Sequence, residues 1–323
     1  MAKAAGVSRS AVSRAFTPGA SIAQETRTRV MQAAQKLGYQ ANDLARALLT
    51  RHSHLVGLVV TEPEVGFRAH LVAALTQALV QSGRIPVLIN TGRSEEDILA
   101  AQRALLGYRP EATLVLSGSP PASFLDLARR HGHALILLGR SEEGAAHVRI
   151  DNAQAGRQAA VQFVTRGLRH LGVVGVGRAT PSFVEREESF VAHARALGAT
   201  VRVARGAEGD YAGGVEAARE LLAPDAPIEG VFCVNDLLAF GLMDHVRDTL
   251  GWNIPHRLSV IGFDDVPQAA WASYRLTTFR QDPARMAAEV LRLLDVITAG
   301  AHGEEIDACL VAPLVLRATL RPA

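Results

Sequence analysis

The chain has 323 residues, 48% hydrophobic and 20% charged, with a formal net charge of +2. That length implies two or three domains, and that composition a soluble globular protein with several cores rather than a disordered or fibrous one. The apolar runs, HALILLG and HLGVVGVG among them, fall far short of the ~20 residues that span a bilayer. No basic-then-apolar leader with a small-residue cleavage site precedes the body, so the expected compartment is the cytoplasm. Cys233 and Cys309 fit no CxxC or zinc spacing and read as two buried, reduced thiols.

The charge is unevenly spread. Residues 1–54 hold eight Lys/Arg against two acids, a net +6, which leaves −4 for residues 55–323. A small basic head on an acidic body is the footprint of a phosphate-binding module joined to something else; a solvated helical face gives the same count. Ala2 to Ala5 reads as the end of a first helix, and Gly6-Val7 as the tight connection of a helix-turn-helix. Ser8 is placed to cap a second helix, with Val12, Ala15 and Phe16 on one face. In a third, Ile22, Val30, Ala33, Ala34 and Leu37 recur at helical spacing until Gly38 ends it. Asp43 to Thr50 predicts a short helix with little to pack on.

From Leu55 onward, strands alternate with helices. LVGLVV, RIPVLIN, ATLVLSG and HALILLG are strands, separated by helices over 68–82, 95–106 and 122–131. A second set starts near Asp151, with strands HLGVVGV, TVRVA, IEGVFCV and LSVIGF. Its helices are QAGRQAAVQFVTRG and the segments 185–197, 213–222 and 237–250. A helix over 283–299 leads to the tail CLVAPLVLRATL. Continuous apolar strands alternating with helices mean parallel βαβ units. The expected body is two doubly wound parallel-sheet lobes, with a ligand in the cleft outside the carboxyl ends of the strands.

The stretches AGVSRSAVSRAF, TRTRVMQAAQKLGYQAN and LARALLTRHSHLVGLVV in the head, and DNAQAGRQAA, VNDLLAFGLM, LSVIGFDD and LTTFRQD in the body, occur in order along nearly the whole chain. In these the chain resembles the lactose-repressor (LacI/GalR) family of bacterial transcription regulators. The resemblance implies an all-α helix-turn-helix head (1–40), a hinge helix and linker (41–54), and a periplasmic-binding-protein-like body (55–323) that dimerises and senses a small molecule. Lobe one would take 55–150 and 279–308, lobe two 151–278 and 309–323. It implies a DNA-binding regulator, a repressor, acting as a homodimer on a palindromic double-stranded operator under an effector that is a sugar or a small anion. No cofactor, metal or membrane partner is implied.

Carried over by position, Arg9, Ser10 and Arg14 would face base edges, with Ser8 and Ser13 on phosphates. An arginine can pair bidentately with guanine, worth roughly 1–3 kcal/mol of discrimination. In the hinge, Asn42, Ala45 and Leu48 would meet DNA, Leu48 as a minor-groove wedge. The matching crevice residues are Arg186, Tyr211, Asn235 and Asp264 of lobe two, with Phe67 and Arg140 at comparable strand ends of lobe one; Asp264 could also be a loop cap.

There are departures. MAKAA supplies only about one turn of helix one, so either that helix begins upstream of Met1 or the head is less stable than its relatives'. Ala23 stands at the usual cap of helix three, for which Ser21 with Gln24 is a substitute pair. EESF follows Arg186 without the usual glycine, and YRLTT lacks the usual proline. Two rivals are weighed. An enzyme is disfavoured because no GxSxG, Walker A or HExxH occurs and Gly175-Val-Gly177 lacks a third glycine in register. A solute-binding protein suits the body but not the basic head.

Overall fold

The computed structural model describes residues 1–16, 19–39, 54–91, 95–108, 110–116, 134–139, 145–178, 180–222, 227–299 and 307–322. They divide into two compact units, Met1–Ser53 and His54–Ala323.

In the first unit α1 (Ala2–Ala5), α2 (Arg9–Phe16) and α3 (Gln24–Lys36) enclose a small core. Ala5, Ala15, Val30 and Ala33 are buried, with Val7, Val12, Phe16 and Ile22 packed against them. Gly6 ends α1 in the left-handed region at φ 63, which glycine adopts without steric cost. Ser8 Oγ accepts from the Ala11 amide at 3.1 Å, capping α2. At the end of α3 the Tyr39 amide reaches the Ala34 carbonyl (2.9 Å) and the Gly38 amide that of Gln35 (3.2 Å), a Schellman closure. Two expectations are corrected. Ala23 stands at the start of α3 with no side-chain cap hydrogen bond, so Ser21 and Gln24 do not form the substitute pair. Leu37 lies past the last helical residue and is 55% exposed, off the apolar stripe that Val30 and Ala33 share.

The second unit holds two six-stranded sheets. The first contains β1 (Leu55–Val60), β2 (Ile85–Asn90), β3 (Ala112–Leu116), β4 (Ala134–Leu138), β5 (Ala146–Ile150) and β11 (Asp307–Leu310), in the order β11-β5-β4-β3-β1-β2, all parallel. The second contains β6 (His170–Val176), β7 (Thr200–Gly206), β8 (Gly230–Cys233), β9 (Ser259–Asp264), β10 (Thr277–Arg280) and β12 (Leu314–Val315), in the order β12-β10-β9-β8-β6-β7. Only β12 runs antiparallel to its neighbour. In each sheet the order reverses once, between β1 and β3 and between β6 and β8. Those switch points open a crevice at the carboxyl ends.

The helices are α4 (Phe67–Gln81), α5 (Glu95–Gly107), α6 (Asn152–Val164), α7 (Pro181–Ala196), α8 (Tyr211–Leu221), α9 (Asp236–Asp244) and α10 (Pro283–Thr298). Polar caps set their starts. Asp151, Asp210, Asn235 and Asp282 accept the amides of Gln154, Gly213, Leu238 and Arg285 at 2.8 to 3.0 Å. The helix expected from residue 185 starts at Pro181, because proline is favoured in a first turn that needs no amide donor. The helix expected over 237–250 is α9 followed by a π-helical turn, His245–Thr249. The expected helix over 122–131 lies outside the described residues.

RIPVLIN is not a buried central strand: β2 is an edge, with Ile85 and Leu88 exposed. The strands β5, β10, β11 and β12 were not expected. Each is short, and polar residues such as His147, Arg149, Thr277, Thr278 and Asp307 break its apolar run. Cys233 is buried, but Cys309, on β11, is exposed. Where YRLTT lacks the proline, Arg275 adopts φ 44, which a proline ring forbids.

A file of rings crosses the second lobe's core. Phe163, Phe190, Phe232, Phe279 and Phe263 follow one another with centroids 5.2 to 6.3 Å apart. Phe263, last in the file, is also the ring on which the crevice is built. The chain passes between sheets three times: at Asp151, at Gln281-Asp282 and at residues 311–313. The Asp151 amide donates to the Leu310 carbonyl and the Arg280 amide to that of Pro313, both at 2.8 Å, so the crossovers are laced together.

Candidate functional site

Two surfaces carry the chemistry. On the head, Arg9, Ser10, Ser13 and Arg14 are exposed on the face of α2 opposite buried Ala15. Ser8 spends its oxygen as the cap and lies 2.9 Å from the Ser10 hydroxyl. The first turn of α2 contains no acid. Its free amides and the two arginines therefore suit an anionic backbone. Asn42, Ala45 and Leu48 lie outside the described residues.

In the body the crevice centres on Arg186, on α7 and only 3% exposed. Gly156 of α6 brings the two helices together, since a Cβ there would lie 2.7 Å from the Arg186 carbonyl. The Arg186 Nε donates to Asn152 Oδ1 and its Nη1 to the Val234 carbonyl, both at 2.7 Å. The guanidinium lies 3.5 Å from the centre of the Phe263 ring and 5.4 Å from that of Phe183, a cation–π arrangement. Nη1 stands 4.0 Å from Asp264 Oδ1. Burial lowers the Arg186 pKa to about 10 against the pull of Asp264, Glu185 and Asp236, so the group is a cation at neutral pH.

Asp264 ends β9 in the left-handed region at φ 124, a costly conformation outside glycine. Its Oδ1 accepts from Gln281 Nε2 at 2.6 Å. Burial raises its pKa to about 6, opposed by Arg186, the Gln281 bond and Arg68 of lobe one. Behind it, Asp236 is wholly buried and accepts from the Thr278 hydroxyl (2.6 Å) and the Val266 amide (3.0 Å). Burial and the nearby Asp264 charge push its pKa well up. Asp265 diverges from Asp264, as neighbours on a strand do, to pair with Arg280 and Arg317 at 2.6 Å each.

Asn235 sits at the crevice but is committed: it caps α9 and its Nδ2 holds the Gly209 carbonyl at 2.8 Å. Phe67 begins α4 beside Gly66, where a Cβ would come within 3.2 Å of Leu237 of lobe two. On the other rim the Ser182 hydroxyl donates to the Gly139 carbonyl at 2.8 Å, again joining the lobes. Arg140, the next residue, lies outside the described residues. Tyr211 is not brought to this group. Its hydroxyl donates to Asp244 at 3.0 Å, an acceptor it shares with Tyr274. Asp244 is nine residues along α9 from Asn235, about 13 Å at 1.5 Å per residue. Sequence reasoning missed Asn152, Ser182, Phe183 and Gln281. Asn152 and Gln281 stand inside the quoted stretches DNAQAG and LTTFRQD, so their signal was present.

Comparison with known proteins fits these surfaces. Residues 1–42 match the bacterial regulatory proteins of the lacI family, and residues 160–320 the periplasmic binding protein-like domain. The HTH-type transcriptional regulator GalS of Salmonella typhimurium is 30% identical over 98% of this chain and 94% of its own. The chain belongs to the lacI family. Among solved structures of similar proteins, the complex of the regulator CelR with cellobiose is 28% identical with a TM-score of 0.76, covering 98% of both chains. The lac repressor dimer bound to operator and the anti-inducer ONPF shares the fold, with a TM-score of 0.90 at 20% identity over 98% of this chain and 97% of that one. As a lacI-family member the chain is a DNA-binding transcriptional regulator and not an enzyme. No helix among the described residues is long and apolar enough to cross a membrane.

The raised carboxyl at Asp264 has a pH signature. In the folded chain it keeps its proton up to about pH 6, whereas in the unfolded chain it ionises near pH 4. The folded state thus binds more protons in that window, and this group's contribution to stability falls as pH rises from about 4 to about 6 and is constant above. Urea unfolding of wild type and Asp264→Asn across pH 4–8 is expected to show a free-energy difference that moves against wild type through that window. A difference independent of pH refutes it.

Proposed function

We propose that this lacI-family regulator is a cytoplasmic repressor that binds a palindromic operator as a homodimer and is controlled by a neutral sugar in the interlobe crevice. Residues 1–40 form the DNA-reading domain, 41–54 the hinge helix and linker, and 55–323 the effector and dimerisation domain. Lobe one takes 55–150 and 283–310 and lobe two 151–280 and 314–323; the bounds expected from the sequence, 279 and 308, fall inside β10 and β11, which pair in the second and the first sheet. Arg9, Ser10 and Arg14 read bases, Ser8 and Ser13 hold phosphates, and Asn42, Ala45 and Leu48 of the hinge engage the minor groove.

One observation carries the choice of effector: the Arg186 charge is already answered. With Nε and Nη1 engaged and Asp264 alongside, only Nη2 takes no hydrogen bond among the described residues. A carboxylate or phosphate wants a bidentate, uncompensated guanidinium. A hydroxylated ligand wants the mixed donors and acceptors that Arg186 and Asp264 present, with Phe67 and Phe183 to cover a sugar face; Arg140, expected from the sequence at this site, lies outside the described residues. Asn235 shapes the pocket wall, and Tyr211 joins the site only by turning from Asp244.

The dimer surface we assign to α4 and β2. Leu71, Leu75 and Leu79 bury one face of α4, yet Val80 on the helix and Ile85 and Leu88 on the adjoining edge strand are 62%, 42% and 43% exposed. An apolar, uncharged edge strand invites pairing, whereas β7, an edge of the second sheet, carries Arg202 and Arg205.

Three outcomes are expected. Duplexes selected from a randomised pool will be palindromic, with affinity falling steeply with salt; Arg14→Ala will cost about 1–3 kcal/mol and relax the preference at one base, by fluorescence anisotropy. A salt-independent affinity sinks the DNA assignment. In thermal-shift titrations at least one of cellobiose, lactose and ribose will raise the melting temperature, and Arg186→Ala will abolish the rise while circular dichroism stays native. Persistence of the rise removes Arg186 from the site. Leu88→Lys will sediment as a monomer; an unchanged dimer places the interface elsewhere.

A further inference from the structure

We infer that Asn152 and Gln281 are positioning residues through which the crevice sets the angle between the two lobes. This rests on the crevice being the effector site, and it concerns how that site is read out.

The cation and the anion of the crevice are each held by an amide side chain that stands in an interlobe crossover. Asn152 is the first residue of α6, directly after the crossover at Asp151, and is 2% exposed. Its Oδ1 accepts from Arg186 Nε at 2.7 Å while its Nδ2 donates to Glu185 Oε2 at 3.2 Å. Gln281 occupies the second crossover, between β10 of lobe two and α10. Its Nε2 donates to Asp264 Oδ1 at 2.6 Å and its backbone amide to the Asp264 carbonyl at 3.1 Å. The two amides use opposite ends: the asparagine accepts from the guanidinium, the glutamine donates to the carboxylate.

Neither amide can follow its partner without moving backbone. Asp151, before Asn152, is fixed as the cap of α6, and Asp282, after Gln281, as the cap of α10. The crossovers are joined through Leu310 and Pro313 on either side of the third, so a rotation at one is imposed on all. Among the described residues the lobes meet at the Ser182–Gly139 hydrogen bond on one rim and, on the other, at Gly66, where an added Cβ would lie 3.2 Å from Leu237. A ligand that draws on Arg186 Nη2 or on Asp264 therefore pulls on the two hinge amides, and the rims yield.

The test uses the full-length chain without ligand. Nitroxides are placed at Arg103 on α5 and Arg195 on α7, both exposed, with the exposed Cys309 changed to serine. Double electron–electron resonance then reads the interlobe distance. Asp264→Asn, which removes the anion the glutamine holds, is expected to shift the distance by a few ångströms. In the background Asn152→Ala with Gln281→Ala the same substitution is expected to produce no shift, and Asn152→Asp in place of Asn152→Ala, which keeps the acceptor for Arg186, to restore part of it. If the double background fails to fold, the near-isosteric Gln281→Met alone is read the same way. An equal shift in both backgrounds, or none in the native one, overturns the inference. Failure of the effector assignment is separate: it shows as a sugar-induced melting shift that survives Arg186→Ala.

Discussion

A buried guanidinium organises the second lobe. Removing a charge from water costs several kcal/mol unless every donor is answered and a counter-charge lies close. Arg186 is answered from four directions: by Asn152 of α6, by the carbonyl of Val234 at the exit of β8, by Asp264 at the exit of β9, and by the face of Phe263 within that strand. Each of those elements must be in register for the charge to be tolerated. The strained backbone at Asp264, worth on the order of 1–3 kcal/mol, is understandable in the same terms. The carboxylate has to reach back toward Arg186 while its own carbonyl meets the Gln281 amide. Asp236, buried behind it, is satisfied by Thr278 and Val266 and tightens the junction of β9, β10 and α9.

Much of this was legible in the sequence. The alternation of apolar strands and helices fixes two doubly wound sheets, and the placing of ligand groups after IEGVFCV and LSVIGF follows from parallel-sheet geometry. Helix starts were misread where a cap stood a few residues upstream of the apolar stripe, as at Thr180-Pro181 and Asp210. The strands β5, β10, β11 and β12 were illegible because each is short and draws its burial from neighbours far away in sequence. Tyr211 shows a deeper limit. A residue at the start of a helix can point along either of two directions, and only the presence of Asp244 and Tyr274 decides which. Asn152 and Gln281 were visible as letters, but their role needs the crossovers, which no local pattern reveals.

Two of the body's four edge strands, β7 and β2, are built differently. β7 carries Arg202 and Arg205, the latter tied to Glu187 on α7, which disfavours pairing at that edge. On β2 the outward positions are Ile85 and Leu88, and the nearby turn of α4 ends in Val80. On the proposed assignments, charge is concentrated where nucleic acid is to be met and withdrawn where a second copy is.

The energetics of closure follow from how little joins the lobes directly. Among the described residues the rims contribute the hydrogen bond from Ser182 to Gly139 and the approach of Leu237 to Gly66, where an added Cβ would lie 3.2 Å away. A neutral hydrogen bond nets only about 0.5–1.5 kcal/mol. Driving a two-state equilibrium from 1:99 to 99:1 takes about 5.5 kcal/mol of differential affinity. The rims cannot supply that, and a ligand that binds both lobe angles equally shifts nothing. On the proposed mechanism the difference arises where a strong interaction meets an interlobe crossover, and in the crevice those are the bonds from Arg186 to Asn152 and from Gln281 to Asp264. A hydrogen bond to a charged group is worth roughly 1.5–3 kcal/mol, so two such bonds bent together reach the required order.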